Sequence, residues 1–381
     1  MRFKLWASCA LGLEAVVARE LQKLEVAEIQ TDNGWISFEG SNLDLARANL
    51  WLRTADRVWW EVASFPCRTF EELFQGVKGI PWGEILPVDA EFPMQAHTYK
   101  SQLTSLPAIQ RTAKKAVVEV LQSHYRRLRL SEEGDHYPLK VFLVADRCRV
   151  LLDTSGSGLH RRGYRTWNAP APLRETLAAA LVQLSVWNKE RPLVDPFCGS
   201  GTICLEAAML GLNMAPGLTR RFAAEKWPIV GRSAWEEALE EAESAFDERT
   251  QLDICGYDND PQTLKLARLH LKQCGLEGRG ISFREGDVRR LRLKGKYGVV
   301  ITNPPYGQRL LEIREAEELY SVLGEVAAHN PTWSYYVISS HPKFEEFFGA
   351  RAQRRRKVHN SMLACQYFQF PGPKPPKGEE G

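Results

Sequence analysis

The sequence predicts a doubly wound α/β domain preceded by an α+β half, and three observations carry that prediction. From residue 192 onward, short apolar runs at 192–195, 254–257, 281–284 and 297–302 alternate with helical patterns. That spacing builds a parallel sheet with crossover helices. At the ends of these runs stand Asp195, Asp258, Asp287 and Asn303, and in such sheets ligands sit beyond the carboxyl ends of the strands. Upstream the alternation is irregular, and the stretch Thr154-Ser-Gly-Ser-Gly158 reads as a flexible connection between the halves. At 381 residues the chain exceeds one ordinary domain, and two or three are expected.

In chain order, Arg2 and Lys4 followed by the apolar stretch 5–13 imitate a signal peptide. Glu14, Arg19 and Glu20 follow at once, and Leu13, Val16, Val17 and Leu21 keep helical spacing. We read a strand over 2–9 and a helix over 12–24. A strand at 34–39, a helix at 42–52 and a strand at 55–63 complete a small α+β unit. Helices at 70–77 and 107–124 then flank strands at 90–96 and 139–145. A further strand at 147–153 pairs with the last across a tight turn at Ala145-Asp146. Lys100, Arg111, Lys114, Lys115, Arg126, Arg127 and Arg129 fit a solvated helix face and RNA contact equally well.

The second half opens with a helix at 177–187, then the strand 192–195, the loop 196–202 and a helix at 203–210. An excursion over 211–251, with an acidic helix at 233–248, is either a substrate-side cover or a structural insert. Strands at 254–257 and 281–284 bracket a helix at 261–274. After the strand ending in Asn303 come a helix at 315–329, a strand at 334–340, a short helix at 342–348 and a hairpin-like end at 350–370. The tail 372–381, rich in Pro, Lys, Gly and Glu, is expected to be disordered.

Composition narrows the function classes. Fifty basic against 47 acidic residues leave a net charge of +3, so any polyanion surface must come from local clustering. The eight cysteines are scattered without zinc spacing, and read as reduced thiols of a cytoplasmic protein with no metal site. No apolar run approaches membrane-spanning length.

The chemistry concentrates at Asn303-Pro304-Pro305-Tyr306-Gly307. Two prolines stop the strand in a stiff, extended loop. The Asn303 oxygen and the Pro304 carbonyl can accept the two hydrogens of a planar amine, and Tyr306 can stack on its ring. Gly199 and Gly201 let backbone approach a ligand at a helix N-terminus. Asp258 is placed like the acid that grips ribose hydroxyls, and Asp287 suits an adenine amino group. The glycine pattern is not G-x-G-x-x-G, because Cys204 occupies its last position, and no Walker lysine follows, so phosphate-bearing cofactors are poorly supported. A ligand with ribose and adenine but no phosphate is S-adenosyl-L-methionine. Locally, Asp195 and Asp258 could instead be helix N-caps.

Five segments, Leu159-His-Arg-Arg-Gly-Tyr-Arg165, Ala171-Pro-Leu-Arg-Glu-Thr176, Asp195-Pro-Phe-Cys-Gly-Ser-Gly-Thr202, Ala215-Pro-Gly-Leu218 and Asn303-Pro-Pro-Tyr-Gly307, resemble the landmarks of the THUMP-containing class of Rossmann-fold RNA methyltransferases. The resemblance covers all but the tail and is strongest to the bacterial 23S rRNA guanine-N2 methyltransferases. It implies a ferredoxin-like unit over 1–60, an RNA-binding THUMP domain over 61–165 and an S-adenosylmethionine-dependent methyltransferase domain over 166–371. It also implies a catalytic loop of Asn303, Pro304, Pro305 and Tyr306. The cofactor wall would comprise Thr176, Asp195, Pro196, Cys198, Gly199, Ser200, Gly201, Thr202, Asp258, Asn259, Asp287, Val288 and Asn303. From their clustering, Arg161, Arg162 and Arg165 at the domain junction, and Arg351 with Arg354, Arg355, Arg356 and Lys357, are expected to grip RNA phosphates, the alternative being a solvated surface run. Relatives that methylate tRNA guanine share most of these landmarks. Adenine N6 methylation of RNA or DNA uses the same amine-holding loop, and a non-enzymatic ribosome assembly factor is a further alternative.

Overall fold

A computed structural model describes residues 2–165, 173–307, 310–361 and 363–376. Positions 171 and 172 of one family landmark, and 377–381 of the tail, lie outside the described residues. The chain forms two compact units, one of residues 2–9, 17–159 and 221–241, the other of 10–16, 160–220 and everything from 242 onward.

The first unit carries β1 (Phe3–Ser8), α1 (Glu14–Lys23), β2 (Ala27–Asp32), β3 (Trp35–Gly40), α2 (Asn42–Trp51), β4 (Arg57–Pro66), α3 (Phe70–Lys78), α4 (Trp82–Ile85), β5 (Met94–Tyr99), α5 (Leu106–Tyr125), β6 (Leu139–Val144) and β7 (Arg147–Asp153). Its strands make one sheet in the order β2-β3-β1-β4-β7-β6-β5. Ser41 and Thr69 start α2 and α3 with capping boxes, completed by Asp44 and Glu72, which satisfy the exposed N–H groups of a first turn. Ala145 and Asp146 both take positive φ, 49° and 58°, the two-residue turn whose twist matches paired strands. One face of the sheet, including Leu5, Trp60, Val141 and Val150, is buried.

Three expectations change here. The strand β2 was missed because Ala27–Asp32 is mostly polar and exposed, as an edge strand can be. The strand expected at 90–96 runs over Met94–Tyr99 instead; Pro93 has no N–H to pair, and only a single bridge at Glu91 precedes it. The expected flexible connection after β7 is rigid at its start. Thr154 and Ser155 are buried, and Asn49 donates to Thr154 Oγ1 at 2.9 Å while accepting from Ser155 Oγ at 2.7 Å.

The second unit carries α6 (Glu175–Gln183), β8 (Leu193–Asp195), α7 (Thr202–Gly211), most of the chain around β9 (Ile254–Asp258), α9 (Pro261–Gln273), β10 (Ile281–Glu285), β11 (Val299–Thr302), α10 (Leu310–His329), β12 (Ser334–Ser339), α11 (Phe344–Phe348), β13 (Arg354–Asn360) and β14 (Leu363–Phe370). The helix between α7 and β9, α8, covers Arg232–Ser244. Strand order is β10-β9-β8-β11-β12-β14-β13. The first five are parallel, and β14 and β13 close the sheet antiparallel. The chain moves outward from β8 to β10, then returns to β11 on the other side. The gap between β8 and β11 is therefore the topological switch point, where open α/β sheets bind ligands.

Part of the excursion packs within the first unit. Residues 221–241 belong to the first unit, where Asn42 Nδ2 reaches the Ile229 carbonyl at 3.1 Å. Trp227 donates to the His136 carbonyl at 3.0 Å and stacks on Tyr137 at 4.7 Å.

Candidate active site

Beyond the carboxyl ends of the parallel strands lies a cavity of about 1150 Å³. The strand ends supply Asp195, Asp258, Asp287 and Asn303, and the loop before α7 supplies Pro196, Cys198, Gly199 and Ser200. Thr202, Asn259, Val288, Pro304, Pro305 and Tyr306 complete the expected members of its wall. Thus every expected catalytic residue and all but two of the expected cofactor residues meet at one cavity. Thr176 and Gly201 do not line it. Gly201 has φ +85°, and a Cβ there would stand 2.7 Å from the Phe283 ring, so its requirement for glycine is conformational and steric.

The acids are held by backbone and hydroxyl groups. Thr302 Oγ1 donates to Asp195 Oδ1 at 2.6 Å, and the Phe197 N–H reaches the same oxygen at 3.1 Å. Gly199 N–H donates to Asp258 Oδ2 at 2.9 Å, and Asp260 N–H to Oδ1 at 3.0 Å. The alternative that Asp195 and Asp258 are helix N-caps is therefore excluded by geometry. The N-cap of α7 is Gly201 and that of α9 is Asp260. Asp287 caps the short turn Val288–Arg290 and pairs with Arg289 at 3.1 Å.

Burial pushes the Asp195 carboxyl up to about 7, against the lowering pull of its Thr302 and Phe197 donors, and the neighbouring Asp258 charge adds to the rise. Asp287 lies below the ordinary carboxylate range, chiefly through the Arg289 N–H. Among the described residues, the wall holds six carboxylates, with Asp260, Glu315 and Glu318 joining the three strand-end acids, against one guanidinium, that of Arg289. Such a wall repels a pyrophosphate and suits a cationic ligand bearing hydroxyls. Gly199 has φ +52° and open space where a Cβ would stand, so its backbone forms a cradle that a larger residue would fill.

On the loop after β11, the Tyr306 hydroxyl donates to Asn303 Oδ1, and Tyr320 anchors the Pro305 carbonyl at 2.8 Å. The turn between β13 and β14 brings Asn360, Ser361 and Leu363 to the same cavity. The sequence reading missed these three, because a hairpin turn 50 residues beyond the loop carries no local signal of its partner. Cys198 and Cys204 are buried, with burial raising both thiols, as packing cysteines rather than nucleophiles require. Among the described residues, no group of three or more His, Cys, Asp or Glu could hold a metal ion, and no helix is long and apolar enough to cross a membrane.

The expected phosphate-gripping arginines do not act as one set. Arg162 is 2% exposed and forms a two-point ion pair with Glu206, at 3.0 and 3.1 Å. It stabilises the interior and presents nothing to a polyanion. Arg165 is likewise drawn inward, to Glu175 at 3.1 Å and Thr202 Oγ1 at 2.5 Å. Arg161 is exposed. On β13, Arg354 and Lys357 are exposed, Arg355 pairs with Glu345, and Arg356 donates to the Gly12 carbonyl at 2.9 Å.

Three family models match along the chain. They are the RlmL ferredoxin-like domain over residues 4–59, the THUMP domain over 67–153, and UPF0020, the RMKL-like methyltransferase domain, over 162–369. The chain belongs to the RMKL-like methyltransferase family. It is 42% identical to "Putative RNA methyltransferase YpsC" of Bacillus subtilis, over 97% of this chain and 96% of that protein. It is 32% identical to "Ribosomal RNA large subunit methyltransferase K/L" of Syntrophotalea carbinolica, over 96% of this chain and 53% of that longer protein. Among solved structures, SMU.472, "a putative methyltransferase complexed with SAH", superposes with a TM-score of 0.93 at 41% identity, covering 98% of this chain and 99% of that one. A Listeria monocytogenes protein called a "predicted N6-adenine-specific DNA methylase" superposes at 0.94 with 42% identity, covering 98% and 97%.

Proposed function

We propose that the protein is an S-adenosylmethionine-dependent RNA methyltransferase acting on an exocyclic base amine, guanine N2 of 23S rRNA. The observation that carries the reading is the placement of the Asn303–Tyr306 loop on the wall of the acidic cavity at the switch point. A relative solved with SAH and one named as an RNA methyltransferase support the cofactor and the substrate class. The THUMP match and the K/L relative support ribosomal RNA.

The residues divide the work. Asp258 would hold the ribose hydroxyls of the cofactor, Asp287 and Val288 its adenine, and the Pro196–Thr202 loop its remaining length, with the Gly199 backbone against it. Asp195 and Asn303 lie where its amino acid end and reactive centre would meet the substrate. Bound there, S-adenosylmethionine supplies an electrophilic methyl group on a sulfonium. An aryl amine is a poor nucleophile because its lone pair is delocalised into the ring. The Asn303 oxygen and the Pro304 carbonyl, accepting both N–H groups, favour a pyramidal nitrogen, and Tyr306 stacked on the base fixes its approach. The base must leave its stack to enter. For its hydrogen to reach the Asn303 oxygen, the Tyr306 hydroxyl must first give that position up.

The test is incubation of the protein and labelled S-adenosylmethionine with total RNA from a strain lacking the gene, then digestion to nucleosides. Labelled N2-methylguanosine in the 23S fraction is expected. The name of the Listeria relative keeps a second reading in view, and N6-methyladenosine would establish it. Label in the tRNA fraction would move the target, and no label would favour an assembly factor.

A further inference from the structure

Three side chains converge on the hydroxyl of Tyr306. It donates to Asn303 Oδ1, and the Asn360 amide and the Cys365 thiol also lie within hydrogen-bonding reach of it. The last two belong to the hairpin β13–β14. Its register pairs Asn360 with Leu363 and Val358 with Cys365, and strand alternation therefore puts Asn360 and Cys365 on one face. Ser361 takes φ 56°, a left-handed step that turns the chain where Asn360 and Ser361 line the cavity.

The backbone on either side of Tyr306 is pinned. Tyr320 Oη donates to the Pro305 carbonyl at 2.8 Å and accepts from Ser339 Oγ at 3.3 Å. Gly307 packs so closely on α10 that a Cβ would stand 2.6 Å from the Ile313 backbone. A change of hydrogen-bond partner at Tyr306 is therefore a movement of the side chain, not of the loop. Burial holds the phenol well above its ordinary range, so it meets its neighbours as a neutral O–H with one proton for one acceptor at a time. Once a base amine claims the Asn303 oxygen, this buried hydroxyl needs another acceptor, because an unsatisfied one is costly. The Cys365 sulfur accepts only weakly. The Asn360 side chain offers a carbonyl oxygen, and its amide can present either end.

We propose that Asn360 is a positioning residue: as the substrate amine takes the Asn303 oxygen, the Tyr306 hydroxyl passes to the Asn360 side chain, which then holds the ring against the base. The phenol keeps its proton and exchanges only its acceptor. The inference rests on the reading of Asn303–Tyr306 as an amine-holding loop and adds what frees that loop for its substrate. It also assigns a task to the β13–β14 turn, 50 residues along the chain. Direct contact between Asn360 and RNA, or a purely structural part in the hairpin, would act alike whether or not residue 306 carries a hydroxyl. The hand-over acts only through that hydroxyl.

The test is a double-mutant cycle on the full chain, read as methyl transfer from labelled S-adenosylmethionine to RNA of a strain lacking the gene. Asn360→Ala is expected to lower kcat/KM roughly tenfold, because the hydroxyl then stays on Asn303. Measured against Tyr306→Phe as parent, where there is no hydroxyl to rehouse, the same substitution should change kcat/KM by less than about twofold. Asn360→Asp keeps an acceptor oxygen and should recover most of the loss. S-adenosylhomocysteine affinity, read by calorimetry, should be the same in Asn360→Ala and wild type. Thermal melts establish folding, and Asn360→Val, suited to a strand, replaces Asn360→Ala if that variant unfolds. Equal losses in the two backgrounds, or an Asn360→Ala variant within about twofold of wild type, would overturn the proposal and leave the methyltransferase reading standing. Absence of label with the wild type itself would instead overturn that reading, and the hand-over with it.

Discussion

The Tyr306 hydroxyl donates to the side-chain oxygen of Asn303, the acceptor that the proposed chemistry reserves for the substrate amine. Ring and hydroxyl of Tyr306 should therefore separate by mutation. Tyr306→Phe keeps the stacking surface and frees the Asn303 oxygen, so turnover should stay within about threefold of wild type. Tyr306→Ala should lose roughly ten- to a hundredfold in kcat/KM for RNA. Asn303→Ala should lower kcat about a hundredfold or more while S-adenosylhomocysteine affinity, read by calorimetry, changes little. Near-normal turnover of Asn303→Ala would remove Asn303 from the mechanism.

Asp195 makes stability depend on pH in a defined direction. Its folded value of about 7 lies above the ordinary aspartate value of about 4. A raised carboxyl favours the fold fully below the lower value, and that contribution is lost as pH rises through the upper one. The ligand-free wild type should thus lose stability between about pH 4 and 7 at this site, by on the order of a few kcal/mol. Asp195→Asn can still accept from Thr302 and Phe197. It should melt above wild type at pH 8, with the gap closing toward pH 5. A gap independent of pH would show that the buried charge is not its cause.

What could be read in the chain without coordinates follows the range of each signal. The sheet was legible because Asp195, Asp258, Asp287 and Asn303 each end a local apolar run, and local runs are what periodicity detects. The polar edge strand β2 was not, since nothing in Ala27–Asp32 alternates cleanly. At the site, the strand-end residues were legible and the β13–β14 turn was not, because Asn360 reaches the cavity only through tertiary folding. Charge runs misled for the same reason. Arg161 and Arg162 are adjacent and chemically identical, yet one is exposed and the other buried against Glu206, and only the fold distinguishes them.

That buried pair gives a stability prediction. Glu206→Ala leaves the Arg162 charge in the interior with its main partner gone, at a cost of roughly 3–5 kcal/mol. Chemical denaturation should register it as a lower midpoint. Arg162→Glu, which sets two carboxylates together, should yield little folded protein. Normal stability with weakened RNA binding would instead return Arg162 to the surface.

On β13, Arg354 and Lys357 are exposed on the strand whose turn residue Asn360 lines the cavity. If they neutralise phosphates of RNA entering there, each contributes about 0.7–0.9 to the slope of log affinity against log salt. Arg354→Glu/Lys357→Glu should therefore flatten the slope by about 1.4–1.8 and leave S-adenosylhomocysteine binding unchanged. Arg356→Glu is a poorer probe, because Arg356 also donates to the Gly12 carbonyl, and Arg355→Glu would set a second carboxylate against Glu345. Filter binding from about 50 to 200 mM salt separates the outcomes. An unchanged slope in the double variant would mean that RNA does not cross this strand, whatever happens to affinity at one salt concentration.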